Sequence, residues 1–203
     1  MNRIYLIMAA LALCLAQTVE ALDGQRQGFF YQVGIGGGST SADQTWTVLT
    51  EDFELDDSAG GVTLDLKVGY GITNMLLLSY TINVGSADLK TIDGRITGFS
   101  TSKETASFGA GGVGLTYFLR DSAPSLFVDL AVGVSTWDDG NGNEFSGGGA
   151  SVGGGYEFKK NWTAEVDYSF GSSSDDKSLF GEKVLEAEVS GSTLGLTINH
   201  IWY

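Results

Sequence analysis

The sequence predicts an all-β protein, an eight-stranded antiparallel up-and-down transmembrane β-barrel. Three observations carry this expectation. Apolar residues alternate with polar or small ones in eight segments of roughly 9 to 11 residues, a length that suits a tilted crossing of a hydrocarbon layer. Connections between these segments alternate long and short, and aromatic residues gather near the segment ends.

Composition bounds the classes. The chain has 203 residues with 30 Gly and 1 Pro, and its 42% hydrophobic content is too high for a disordered acidic tail. One Pro excludes a collagen-like repeat. A net charge of -14 offers no basic face for phosphate tracking, so nucleic acid is set aside as a partner.

The first element is a targeting segment. Asn2 and Arg3 precede an uncharged run from Ile4 to Ala16, and Val19-Glu20-Ala21 provides the small residues of a cleavage site. Residues 1–21 read as a secretory signal peptide, shorter than a membrane-spanning helix and interrupted by Gln17 and Glu20. Its removal leaves 22–203 as a single barrel domain. The chain's one cysteine, Cys14, lies in the removed segment, and bulky Leu13 before it argues against a lipidation site.

The strands follow in order. Phe29 to Ile35 is the first. Val62 to Ile72 is the clearest, with Val62, Leu64, Leu66, Val68, Tyr70 and Ile72 on one face and Thr63, Asp65, Lys67, Gly69 and Gly71 on the other. Leu76 to Val84 and Phe108 to Leu119 repeat the pattern more weakly. Leu126 to Val134 carries Asp129 among small residues on its second face. Ala150 to Phe158 follows, then Trp162 to Phe170, where Glu165 and Asp167 share the polar side, and finally Leu194 to Tyr203. In the last strand Ile201 and Tyr203 stand on the opposite parity from Leu194, Leu196 and Ile198, which predicts a bulge near Asn199 and His200. A ten-stranded closure using part of Gly36 to Gly61 is the other possible count.

A soluble sandwich would share the alternation. The second faces, however, are rich in Gly, Ser and Thr with few charges, as the crowded interior of a narrow barrel requires. The connections Gly36 to Gly61, Gly85 to Ser107, Trp137 to Gly149 and Gly171 to Ser192 are the longer ones, and Thr73 to Met75, Arg120 to Ser125 and Lys159 to Asn161 are short. That rhythm puts tight turns and both termini on one rim and four projecting loops on the other. Phe29, Tyr31, Tyr70, Tyr117, Tyr156, Phe158, Trp162, Trp202 and Tyr203 form the expected girdle at the tight-turn rim, and Trp46, Trp137, Tyr168 and Phe170 the one opposite.

On these features the chain, from about Gly28 to Tyr203, resembles the small eight-stranded outer-membrane barrels of Gram-negative bacteria, the OmpA, OmpX and opacity-protein type. The resemblance implies residence in the outer membrane as a monomer among lipid and lipopolysaccharide. Aromatic Tyr203 looks like the terminal signal that barrel-assembly machinery reads in this family.

Chemistry is sparse. His200 is the only histidine and falls near the tight-turn rim, far from the outer rim where enzymes of this kind place their sites, so no catalytic residue is assigned. Asp139, Asn141 and Asn143 repeat like the opening of a calcium loop, but Glu144 and Ala150 stand where the turn glycine and closing glutamate should be. No cofactor or metal site is assigned. Acidic residues crowd the expected projecting loops: Asp43, Glu51, Asp52, Glu54, Asp56, Asp57, Asp138, Asp139, Glu144, Asp175, Asp176, Glu182, Glu186 and Glu188. Such loops can bridge to lipopolysaccharide phosphates through divalent cations or meet a basic partner. Inside the barrel, Asp65, Asp129, Glu165 and Asp167 face Lys67, which predicts a polar network within the lumen. The functional expectation is a non-enzymatic barrel with a structural or surface-interaction role. Its rival is a narrow channel or carrier for small or apolar solutes.

Overall fold

The computed structural model describes residues 25–48, 51–95, 98–140, 144–179 and 182–203. The expected signal peptide, Cys14 and the middle of the candidate calcium loop lie outside them. Eight strands follow in chain order: β1 (Gly28–Val48), β2 (Glu51–Gly71), β3 (Leu76–Arg95), β4 (Gly98–Phe118), β5 (Ser125–Asp138), β6 (Glu144–Lys159), β7 (Trp162–Leu179) and β8 (Glu182–Trp202). Each pairs antiparallel with the next, and β8 returns to β1, closing the barrel. Closure leaves no unpaired edge across the apolar belt, the condition under which strands can cross hydrocarbon.

The period-two segments lie where the sequence puts them, and their apolar faces point outward. Val62, Leu64, Val68, Tyr70 and Ile72 are 42–60% exposed, while Thr63, Asp65 and Lys67 between them are buried. The other strands repeat this inside-out arrangement with Val128, Leu130, Val132 and Val134 on β5 and Leu194, Leu196 and Ile198 on β8. An outer belt of this kind is stable against lipid and unstable in water. The wall coils tightly where backbones must approach. Gly112 and Gly133 stand opposite each other, and a Cβ on either would strike a carbonyl of the adjoining strand.

Strand length departs from expectation. Instead of roughly 9 to 11 residues, the strands span 14 to 21, and most of the expected projecting loops are strand. Pairing of β1 with β2 runs without interruption from Gly28↔Gly71 to Val48↔Glu51. β3 and β4 pair up to Arg95↔Gly98, and β7 and β8 up to Leu179↔Glu182. These outer halves rise beyond the apolar belt, where both faces can be polar, so the ladder continues without an alternating pattern to mark it. β2 and β3 part above Gly61↔Ala87, and β6 and β7 above Gly147↔Ser173, so the extensions stand as separate arms.

Two further expectations are corrected. β8 has no bulge near Asn199 and His200; its register against β1 is continuous from Tyr31↔Trp202 to Val48↔Leu185. The parity is regular because Ile201 and Tyr203 face inward beneath the polar layer, in an apolar cluster with Phe30, Leu77, Phe118 and Phe127. The aromatic girdle loses two members to the interior, Trp137 and Tyr203, while Tyr31 keeps the outward parity of Phe29 and Val33 and is covered by Trp202. Tyr31, Trp137 and Tyr203 are buried, Tyr31 stacked on Trp202 at 4.5 Å between ring centres. Phe29, Tyr70, Tyr117, Tyr156, Phe158 and Trp162 remain exposed at the tight-turn rim, with Tyr168 and Phe170 exposed on β7. The Trp46 side chain lies outside the described set.

Candidate functional site: the barrel lumen

The inward positions form three layers. At the tight-turn end lies the apolar cluster of Phe30, Leu77, Phe118, Phe127, Ile201 and Tyr203. At the opposite end a second cluster contains Leu89, Phe108, Trp137, Phe145 and Val189 with several alanines. Between them is a layer of buried polar side chains, including Gln32, Asp65, Lys67, Asn83, Asp129, Glu165, Asp167 and Asn199.

Cross-strand register assembles the polar layer. Lys67 and Asp65 are consecutive inward positions on β2, and Glu165 and Asp167 are consecutive inward positions on β7. Asp129 on β5 stands opposite Gly153 on β6, which stands opposite Asp167. Gly153 has no side chain to separate the two aspartates, and a Cβ there would collide with Asp129 Oδ1 and Asp167 Oδ1.

Lys67 Nζ donates to Asp129 Oδ2 at 2.9 Å and to Glu165 Oε1, and lies 3.9 Å from Asp65 Oδ2. Gln32 Nε2 donates to Asp65 Oδ2 at 2.6 Å and to Glu165 Oε2 at 3.0 Å. Asn199 Nδ2 reaches the same Glu165 oxygen at 3.1 Å. The structure therefore brings together the five residues singled out in the sequence, with Lys67 contacting three carboxylates directly. Gln32, Asn83 and Asn199 are members that charge counting passes over. Each lies on the inward parity of its strand, which is the signal that could have found them.

The tight-turn end is closed by a residue the sequence reading did not include. Arg26 precedes β1 and is buried, with its guanidinium 3.8 Å above the Phe118 ring. It pairs with Glu157 and donates to the carbonyls of Asn74 at 2.9 Å and Arg120 at 2.7 Å. Glu157 Oε1 also accepts the Asn161 N–H at 3.3 Å, where Asn161 takes the left-handed φ of 72° that its residue type tolerates in the β6–β7 turn. Arg26 thus ties the segment before β1 to all three tight turns.

His200 packs edge-on against Trp162 at 4.7 Å between ring centres and beside Trp202 at 4.1 Å. Its Nδ1 has no hydrogen-bond partner. At the start of the candidate calcium loop, Asp138 Oδ1 accepts the Gly140 N–H at 2.9 Å and Gly140 takes a φ of 76°, the arrangement of an Asx turn.

Among the acidic residues, Asp43, Glu54, Asp56, Glu144 and Glu188 are exposed at the extended end. Asp43 and Asp56 are direct cross-strand neighbours. The side chains of Glu51, Asp52, Asp175, Asp176, Glu182 and Glu186 lie outside the described set. Asp57 joins two arms by accepting the Lys90 N–H at 2.7 Å, and this hydrogen bond holds its carboxyl below the ordinary value.

No protein-family model and no curated protein matches the chain. Solved structures do. OprG from Pseudomonas aeruginosa is 13% identical over 88% of this chain and 99% of its own, with a TM-score of 0.50. AlkL, solved in lipid bilayers, is 15% identical over 91% of this chain and 94% of its own, with a TM-score of 0.49. The outer membrane protease OmpT from Escherichia coli is 9% identical over 92% and 99%, with a TM-score of 0.40. The likeness to OprG is one of fold: the chain has the small outer-membrane β-barrel architecture, and its lipid-facing belt is the form that architecture takes.

Proposed function

We propose that the protein is a non-enzymatic, non-conducting barrel of the outer membrane, a monomeric anchor that holds acidic strand arms at the cell surface. The observation that carries this reading is the lumen: an apolar cluster stops each end, and the polar layer between them is tied by buried ion pairs. At eight strands the interior barely exceeds the side chains that fill it. A solute would have to displace both clusters and break the Lys67 contacts.

The arms supply the surface chemistry. Asp43, Glu54, Asp56, Glu144 and Glu188 put carboxylates on the extended rim, where lipopolysaccharide phosphates are the neighbouring anions. Direct contact between them is repulsive, and divalent cations convert it to a bridge. The test is calcium-dependent association of the purified barrel with lipopolysaccharide-containing vesicles. Replacing Asp43, Glu54 and Asp56 with their amides should weaken association at fixed calcium. Equal association by the wild type and this variant would contradict a bridging role.

A further inference from the structure

The polar layer holds more carboxylate oxygen than its donors satisfy. Lys67 takes Asp129 Oδ2 but leaves Asp129 Oδ1 without a partner, and Gln32 takes Asp65 Oδ2 but leaves Asp65 Oδ1 without one. Asp167 is only 6% exposed, and neither of its oxygens has a hydrogen-bond partner. Four buried carboxylates face one ammonium in this layer, and uncompensated buried charge is strongly unfavourable.

Asp129 and Asp167 converge with Glu165, whose own oxygens already accept from Lys67, Gln32 and Asn199. Ligand oxygens of Asp129, Glu165 and Asp167 lie within 4.8 Å of one another. Asp129 Oδ1 and Asp167 Oδ1 meet over Gly153, in the space a Cβ would fill. An independent feature adjoins the Asp167 side of this cluster: Asn83, 8% exposed, has neither its oxygen nor its nitrogen partnered and lines a small cavity together with Asp65 and Asp167. A buried amide with both ends unused is as exceptional as the carboxylates.

We infer that the lumen binds a divalent cation, calcium in preference to magnesium, between Asp129, Glu165 and Asp167 over Gly153. The ligand set is all oxygen, which selects a hard cation. Its three carboxylates stand on two strands, β5 and β7, across β6 and not at the corners of an octahedron, which favours calcium, the ion that accepts irregular coordination. Lys67 stays on the far oxygen of Asp129 and on Oε1 of Glu165, so ammonium and cation share these two carboxylates. A proton held between Asp129 Oδ1 and Asp167 Oδ1 is the competing way to neutralise the pair, and retention of calcium distinguishes the two.

The two apolar clusters give the site a property that exposed carboxylates lack: an ion enclosed during folding should exchange slowly. The barrel is extracted from membranes in detergent with calcium, passed through a desalting column in chelator, and assayed for calcium by elemental analysis. The wild type should retain roughly one ion per chain. Asp167→Asn removes a ligand charge with little change of shape, and Gly153→Ala fills the cradle while leaving every carboxylate in place; each should retain less than about a tenth of that. Heat-dependent mobility in detergent reports whether each variant is folded. A wild-type barrel stripped of calcium by the column would overturn the inference, whether or not either variant folds. So would a folded Asp167→Asn or Gly153→Ala barrel that retains calcium at the wild-type level.

Discussion

Arg26 and Glu157 form a buried ion pair at the tight-turn end of the barrel, each side chain almost completely removed from solvent. One partner precedes the first strand and the other lies near the end of β6, so the contact joins sequence positions 131 residues apart. The guanidinium places Nη1 on two turn carbonyls and its face on Phe118. A single side chain therefore fastens the entry of the chain to the base of the barrel.

Arg26→Ala should destabilise the barrel by about 3–5 kcal/mol, because it leaves the Glu157 carboxylate buried without its counter-charge. Urea unfolding in detergent micelles measures this. The cost should be much smaller when Glu157→Gln accompanies it, since the uncompensated charge is then gone. An unaltered midpoint in Arg26→Ala would show that the pair closes nothing.

Lys67→Met should be comparably costly, about 3–5 kcal/mol, because Asp129 and Glu165 lose their shared cation. The temperature at which the folded band is lost on heating in detergent should fall. An unchanged transition would mean that the network does not contribute to stability.

Asp57 gives a pH dependence outside the membrane. The Lys90 N–H lowers its folded value below the unfolded one, so its contribution is present above the unfolded value, about 3.9, and is lost as pH falls through the lower folded value. Asp57→Ala should therefore speed amide hydrogen exchange at Lys90 at neutral pH. At a pH below the folded value the wild type and the variant should exchange alike. Equal exchange at neutral pH would show that this carboxyl does not join the arms.

Trp137 is 1% exposed within the outer apolar cluster. Trp137→Ala should cost about 3–5 kcal/mol, the usual penalty for deleting a buried ring. It should also give small polar solutes access to the polar layer, measurable as faster exchange of amides beside Asp65. Protection equal to that of the wild type would show that other residues close this end.

Strand parity was legible in the sequence because lipid enforces it: Val62 to Ile72 must present one continuous apolar face. The same parity, carried to the strand ends, also places Trp137, Ile201 and Tyr203 inward. Apolar side chains close both ends of the interior, so residue type alone does not separate these positions from the lipid-facing belt. The arms left little mark, since Thr40 to Val48 and its partner Glu51 to Ala59 keep pairing while acidic and hydroxyl residues interrupt the apolar alternation of the sequence. Arg26 lies before the first alternating segment, and its role depends on Glu157 and two turn carbonyls that only the closed barrel brings together. In the lumen, Lys67 and the four acids stand out as charges on inward positions. The convergence of Asp129 and Asp167 depends on their common opposition to Gly153, a register that single-strand periodicity does not encode.

Planar-bilayer recording of the purified barrel tests the closed lumen most directly. The stoppered interior predicts no stable conductance steps from the wild type across the voltage range in which the bilayer itself is intact. Stable, cation-selective steps that disappear when Asp65 and Asp129 are changed to asparagine would contradict it, and would make the polar layer a conduction path.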